Sequence, residues 1–290
     1  MTRLWRHLSI VLDMIKFQHT VFALPFAFIG ALLAARGWPS LGKVFWILLA
    51  CVFARSAAMS FNRVADESFD RLNPRTQGWA LPQGLLTRRF VIVFSLVNCA
   101  GFVFAASRLN GLALALSPVA LIVLLGYSLT KRFTSFSHYF LGGALGLAPI
   151  GAWIAVRGDV ALVPILLGLA VLFWTAGFDI IYSCQDYEFD LNQPLFSIPK
   201  TLGVGRALQV STLTHIVAFV LLAVVWRLSA LGIWTLAGVL AAGALLAYEH
   251  SLVRPNDLSR VNAAFFTVNG FISILLFVAV ALDLTLRSSQ

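Results

Sequence analysis

Residues 42–61, GKVFWILLACVFARSAAMSF, are almost wholly apolar and then break into the polar string NRVADESFD at 62–70. A helix crosses the hydrocarbon core of a bilayer with about 20 apolar residues, and it satisfies its own backbone hydrogen bonds while doing so. The stretch is read as a membrane-crossing helix that carries an acidic motif out of the membrane at one end.

The pattern recurs along the chain. Apolar runs near 19–36, 42–61, 88–107, 111–129, 138–156, 160–180, 207–226, 229–248 and 262–282 predict an all-α, polytopic membrane bundle of about nine transmembrane helices, with one domain over residues 1–290. Charged residues make up only 11% of the chain and hydrophobic ones 60%, against about 25% charged in soluble domains. A soluble fold is excluded, and no stretch remains for a separate soluble domain. The first run is longer than the apolar region of a signal peptide and follows an amphipathic stretch with Arg3, Arg6, Asp13 and Lys16, so it is read as a retained span. Cys51, Cys99 and Cys184 lie in or beside apolar segments without paired spacing, which makes them packing residues.

With the N-terminus inside, the connections alternate between short outer ones and long inner ones. Of the 21 Lys and Arg residues, six (Arg36, Lys43, Arg108, Arg157, Arg227 and Arg287) fall outside and Arg55 falls within a span, leaving fourteen inside. This bias orients the protein by the positive-inside rule. It also accounts for most of the net charge of +9 without a nucleic-acid partner, and the remainder suits an anionic substrate. The inner connections 62–87 and 181–206 are long, polar and rich in ionisable groups, so function is expected there. Gly142 and Gly146, four apart in the fifth span, predict a close helix contact.

Two acidic rows stand at these inner ends. Residues four apart share a helix face, which places Asn62, Asp66 and Asp70 in one row, with Arg55 two turns deeper on nearly the same face. In the second row Tyr182, Asp186 and Asp190 repeat the spacing, and Asp179 lies seven before Asp186. Facing carboxylates at a membrane surface repel unless cations lie between them. Hard oxygen ligands select hard cations, and magnesium is usually held by one or two carboxylates together with substrate phosphates. The pattern suits a metal-diphosphate, for which Arg71, Arg75, Lys131, Arg132 and Lys200 supply cationic donors. A single Asp pair of this kind is usually a solvated helix end. Two rows on one side, each beside a basic loop, argue against that reading. Taken alone, Tyr127 with Lys131 reads as interfacial anchoring, and Arg55 as a buried ion partner. His138, His215 and His250 show no metal-ligand spacing and are assigned no function.

These motifs resemble the UbiA superfamily of intramembrane aromatic prenyltransferases, over essentially the full chain. Asn62, Asp66 and Asp70 match its first motif, Asp186 and Asp190 its second Asp-x-x-x-Asp motif, and Tyr127 with Lys131 its Tyr-x-x-x-Lys. Arg63 stands where the commonest form has Asp. The Asn-Arg form, followed by Asn73-Pro74-Arg75-Thr76, resembles the branch of 4-hydroxybenzoate polyprenyltransferases and their relatives in the futalosine route to menaquinone.

The resemblance implies transfer of a polyprenyl group from its diphosphate to an aromatic acceptor such as 4-hydroxybenzoate, or a naphthoate, in quinone biosynthesis. It implies Asp66, Asp70, Asp186 and Asp190 as catalytic residues that hold Mg2+ with help from Asn62. Lys131 and Arg75 would neutralise the leaving group, Arg55 would hold the acceptor carboxylate, and Tyr127, Tyr182 and Lys200 complete the expected substrate contacts. The expected setting is the cell inner (cytoplasmic) membrane, which the chain crosses several times, with the site facing the cytoplasm. The main alternative is an ion-coupled transporter, which predicts acids near the midplane, whereas these rows lie at span ends. A lipid phosphotransferase would concentrate its acids in one continuous motif.

Overall fold

The computed structural model describes residues 3–16 and 20–287. Residue 19, at the start of the first predicted run, and the side chains of Arg3, Arg6 and Arg287 lie outside the described set. An amphipathic helix α1 (Arg3–Met14) is followed by α2 (Thr20–Ala35), α3 (Leu41–Asp70), α4 (Arg88–Ser107), α5 (Gly111–Thr130), α6 (Ser137–Arg157) and α7 (Leu162–Ser183). Two short helices, α8 (Tyr187–Leu191) and α9 (Ile198–Leu202), precede α10 (Val204–Leu228), α11 (Ile233–Ser251) and α12 (Asn269–Arg287). Among the described residues eight helical segments are long and apolar enough to cross a membrane, and a shorter apolar helix coincides with the first predicted run. All nine predicted runs therefore fall on helices. Their outward faces expose Leu96, Val97, Ile122 and Leu213, an arrangement that suits lipid.

The two ends of the bundle differ. At one end the helices join through connectors of three to five residues (36–40, 108–110, 158–161 and 229–232). Local bonds tie this end: Lys43 donates to the Ala155 carbonyl at 2.9 Å and the Val156 carbonyl at 2.6 Å. Asn110 donates to the Ile154 carbonyl at 2.7 Å, and the Asp283 carboxylate accepts the Thr235 amide at 2.8 Å. The opposite end carries the long connections predicted to hold the function.

Helix α3, 30 residues long, extends about 45 Å at 1.5 Å per residue, so its last turns project beyond the hydrocarbon with the first acidic row. The second row departs from the continuous helix that its spacing predicts. Helix α7 ends at Ser183, and the path tightens through a 3-10 turn at Cys184–Asp186 before α8.

Helix α7 packs between α6 and α10. The contact with α6 is the close approach foreseen at Gly142 and Gly146: a Cβ on Gly146 would stand 2.5 Å from the Gly168 carbonyl oxygen, and one on Gly142 would overlap that of Leu172. The largest apolar core joins α2, α7, α10, α11 and α12 through Phe22, Phe26, Trp174, Leu222, Leu246 and Ile272. Inside it, fully buried Glu249 accepts from Asn269 at 2.9 Å, and Asn269 accepts from the Trp174 indole at 2.7 Å. A six-residue π-helical segment, Ala263–Val268, opens the last span and turns Phe265 and Phe266 toward the functional end.

Candidate active site

A cavity of about 610 Å³ opens at the end with the long connections. Asn62, Asp66 and Asp70 from α3 line it, as do Tyr182, Asp186 and Asp190 from the second row, so the two motifs meet on one space as their spacing predicted. Arg55, Arg75, Tyr127 and Lys131 line it too.

Buried Asp66 is the centre of the first row. Its Oδ2 accepts from Lys131 Nζ at 2.7 Å and from Asn62 Nδ2 at 3.0 Å. The other oxygen, Oδ1, is buried without a partner, and so is Oδ2 of Asp70. Buried carboxylate oxygens are normally satisfied, so these two orphans mark where a cation would complete the site. The residues therefore fit magnesium. Among the described residues no three His, Cys, Asp or Glu side chains converge to hold a metal by themselves, which fits a metal that arrives with a diphosphate contributing ligands of its own.

The second row is gripped by the first long connection. Arg75 binds Asp186 in a bidentate fork, Nε to Oδ1 at 2.9 Å and Nη2 to Oδ2 at 2.6 Å. It also donates to the Tyr182 hydroxyl at 3.2 Å. Burial works against the Arg75 charge, but its bonds to Asp186 outweigh that cost and raise its pKa above the ordinary value. The local sequence sets this up. The Asn73 side-chain oxygen accepts the Arg75 amide at 2.8 Å in an Asx turn, leaving Asn73 Nδ2 to donate to Asp186 at 3.0 Å. Asp190 turns the other way and accepts from Ser197 Oγ at 2.9 Å.

Arg63 also has a defined place. It is buried, its guanidinium stacks 3.7 Å over the Trp79 ring, and its Nε donates to the Met14 carbonyl at 3.2 Å. This side chain fastens α1 and the first long connection to α3 and adds positive charge to the cavity wall. Arg55 donates to the Lys16 carbonyl at 2.8 Å and leaves Nε buried without a partner.

Three expected cationic donors are not brought to the cavity. Lys200 donates to the Gln193 carbonyl at 2.6 Å, Arg71 pairs with Glu67 at 2.7 Å, and Arg132 caps the Ala65 carbonyl. None of the three lines the cavity, because each has a nearer acceptor in its own connection or on α3. Sequence reading passed over Asn73, Trp79, His138, Ser197 and the Phe265–Phe266 wall. Asn73, His138 and Phe265 act through partners far away in sequence, for which a local pattern holds no signal, while Ser197 reaches back seven residues to Asp190 around a turn that the spacing does not reveal.

A second, apolar cavity of about 320 Å³ adjoins the first, sharing Arg55, Met59, Tyr127, Leu141 and Leu145 with it. Its walls come from α2 through α6. The Tyr127 hydroxyl stands 4.0 Å from the Met59 sulfur at the junction.

A carboxylate-rich cavity at one end of a polytopic helical bundle, with an apolar chamber beside it, suits the class of enzymes that work on a lipid-borne substrate. The particular family is settled by comparison: the model of the UbiA prenyltransferase family matches residues 23–275, and the chain belongs to that family. It is 32% identical over 252 residues to the 4-hydroxybenzoate octaprenyltransferase of Aromatoleum aromaticum, covering 87% of this chain and 85% of that one. The enzyme of the same name from Aeromonas salmonicida is 31% identical over 252 residues, covering 87% and 86%. Among solved structures, the apo structure of a UbiA homolog from Aeropyrum pernix K1 aligns with a TM-score of 0.83 at 33% identity, covering 91% of this chain and 98% of that one. A UbiA homolog from Archaeoglobus fulgidus bound to DMAPP and Mg2+ shares the fold, with a TM-score of 0.72 at 21% identity over 95% and 99%.

Proposed function

We propose that this prenyltransferase moves a polyprenyl group from its diphosphate onto 4-hydroxybenzoate or a close aromatic relative, in quinone biosynthesis, with the site at the cytoplasmic face of the inner membrane. The observation that carries the proposal is the meeting of both acidic rows with Lys131 and Arg75 on one cavity that adjoins an apolar chamber. The named relatives support the choice of acceptor.

Asp66 and Asp70, with Asn62 beside them, would hold magnesium on the first row, and Asp186 and Asp190 on the second. Magnesium, when bound, supplies positive charge to the phosphate oxygens of the leaving group. Lys131 and Arg75 add fixed positive charge, which is strongest where water is excluded. The apolar chamber takes the start of the isoprenoid tail and keeps water from the allylic carbon, where hydrolysis would compete. The allylic carbon-oxygen bond breaks, a ring carbon of the acceptor forms the new carbon-carbon bond, and the ring loses a proton.

Arg55, with an unpaired donor at the junction of the two cavities, is assigned the acceptor carboxylate. Arg55→Ala is expected to raise KM for 4-hydroxybenzoate by about 10-fold or more, the worth of a charge-assisted hydrogen bond, with little change in KM for the prenyl diphosphate. Equal shifts for both substrates would remove Arg55 from the acceptor site.

The deciding experiment incubates membranes containing the protein with a polyprenyl diphosphate and a panel of hydroxybenzoates and dihydroxynaphthoates, with magnesium or with chelator, and reads products by mass spectrometry. A magnesium-dependent prenylated hydroxybenzoate is expected. A product only on a naphthoate would move the role to menaquinone synthesis, and no product on any ring from folded protein would sink the proposal.

A further inference from the structure

The cavity holds one carboxylate that belongs to neither acidic row. Asp179 on α7 lies seven residues before Asp186, roughly 11 Å back along the helical path, and lines the same cavity. Arg55 lies seven residues before Asn62 on α3, about 10 Å back along that helix. Both side chains line the cavity and lie deeper than the carboxylates assigned to the diphosphate.

Asp179 is held in a particular way. His138, at the start of α6, places Nδ1 at 2.7 Å from Asp179 Oδ2. The Ile198 amide approaches His138 Nε2 at 3.4 Å. An amide N–H can only donate, so Nε2 is the acceptor, and Nδ1 carries the proton given to Asp179. His138 is buried, whereas the Asp179 side chain keeps 23% of its surface open. Among the described residues no hydrogen-bond donor meets its second oxygen, Oδ1. One oxygen is thus fixed by a buried imidazole, and the other is free to accept a proton from something in the cavity.

Arg55 and Asp179 line the same cavity, so an acceptor ring held by its carboxylate at Arg55 shares that space with the open oxygen of Asp179. We infer that Asp179 is the general base that takes the acceptor's hydroxyl proton, with His138 as its positioning residue. The inference rests on the prenyl-transfer reading above. The proton moves from the hydroxyl to Asp179 as the allylic carbon-oxygen bond breaks and the carbon beside the hydroxyl bonds to the allylic carbon. The ring is then a dienone that still bears that carbon's hydrogen. Loss of this hydrogen as a proton to the departing diphosphate, and return of the first proton from Asp179 to the oxygen, restore the phenol. The sum is one prenylated phenol, one diphosphate and one proton, with no oxidant or reductant.

The test compares wild type and Asp179→Asn in single-turnover transfer on full-length protein. It uses 4-hydroxybenzoate and ring-fluorinated analogues whose phenols ionise at progressively lower pH. With the parent acceptor the variant is expected to lose about 100-fold, within the range for a general base. The deficit should shrink steadily as the phenol becomes more acidic, and His138→Leu should follow the same trend. A deficit equal on every acceptor would make Asp179 a merely structural partner of His138 and overturn the inference, as would wild-type turnover in the variant. Absence of any prenylated phenol from the wild-type protein would instead overturn the prenyl-transfer reading beneath it, before any variant is compared.

Discussion

Replacing Asp66 with Asn is expected to lower prenyl transfer by about 1,000-fold, at the upper end of what removal of one preorganised electrostatic group costs. Asp66 is 3% exposed and concentrates three features in one carboxylate: the Lys131 ion pair, the Asn62 hydrogen bond and a buried oxygen without a partner. The amide keeps the shape and removes the charge. A metal ligand is lost, and Lys131 faces a neutral group. The measurement is single-turnover transfer by folded, membrane-inserted protein across a magnesium titration, with Asp186→Asn in parallel. Wild-type rates in both variants would refute the metal assignment. Lys131→Met sharpens the result. If the pair served only to fasten α5 to α3, the double variant would fall no further than the worse of the two single changes. If each group handles the metal-diphosphate separately, the double variant falls well below either single change.

The legible part of this molecule was what periodicity controls. Runs of apolar residues gave the spans, because the thickness of a bilayer fixes helix length. The spacing of four brought Asn62, Asp66 and Asp70 to one wall, because α3 continues unbroken beyond its apolar part. The same rule described the second row less well, since the chain leaves the α-helix at Cys184, and nothing in the sequence of Ser183-Cys184-Gln185 announces a tighter turn. Pairings across the bundle were not legible at all. Arg75 was expected to meet diphosphate, and in the structure it forks onto Asp186, 111 residues away. Arg63, whose replacement of the usual Asp had no explanation in the sequence, owes its place to Trp79 and to a carbonyl of α1. The histidines were passed over because metal spacing was the signal sought. His138 instead serves a carboxylate from another helix, while His215 and His250 hydrogen-bond to each other at 2.9 Å.

A second large effect is expected at a position that touches no substrate. Gly142→Leu should prevent α6 and α7 from packing and leave protein that does not survive extraction from the membrane as a monodisperse species. Two neighbouring glycines show why. A Cβ on Gly142 overlaps the Leu172 carbonyl, a backbone atom that cannot rotate away, whereas one on Gly143 meets only the end of the Leu172 side chain, at 3.8 Å. Small residues let helix backbones approach within a membrane, and overpacking such a contact costs about 1–3 kcal/mol or more. Gly143→Ala, at ordinary contact distance, should match or slightly exceed wild-type stability, since Ala favours a helix interior over Gly by about 0.5–1 kcal/mol. Thermal unfolding followed by size-exclusion chromatography separates the two, and equal melting of Gly142→Ala and Gly143→Ala would contradict the close approach. The contact also has a chemical consequence. His138 stands in the first turn of α6 and Asp179 near the end of α7, so the spacing that Gly142 and Gly146 allow is the spacing that keeps the 2.7 Å bond between them. Gly142→Ala, if it retains enough fold to assay, should therefore lose turnover in the pattern of His138→Leu, most with the least acidic phenol, and so connect helix packing to proton transfer.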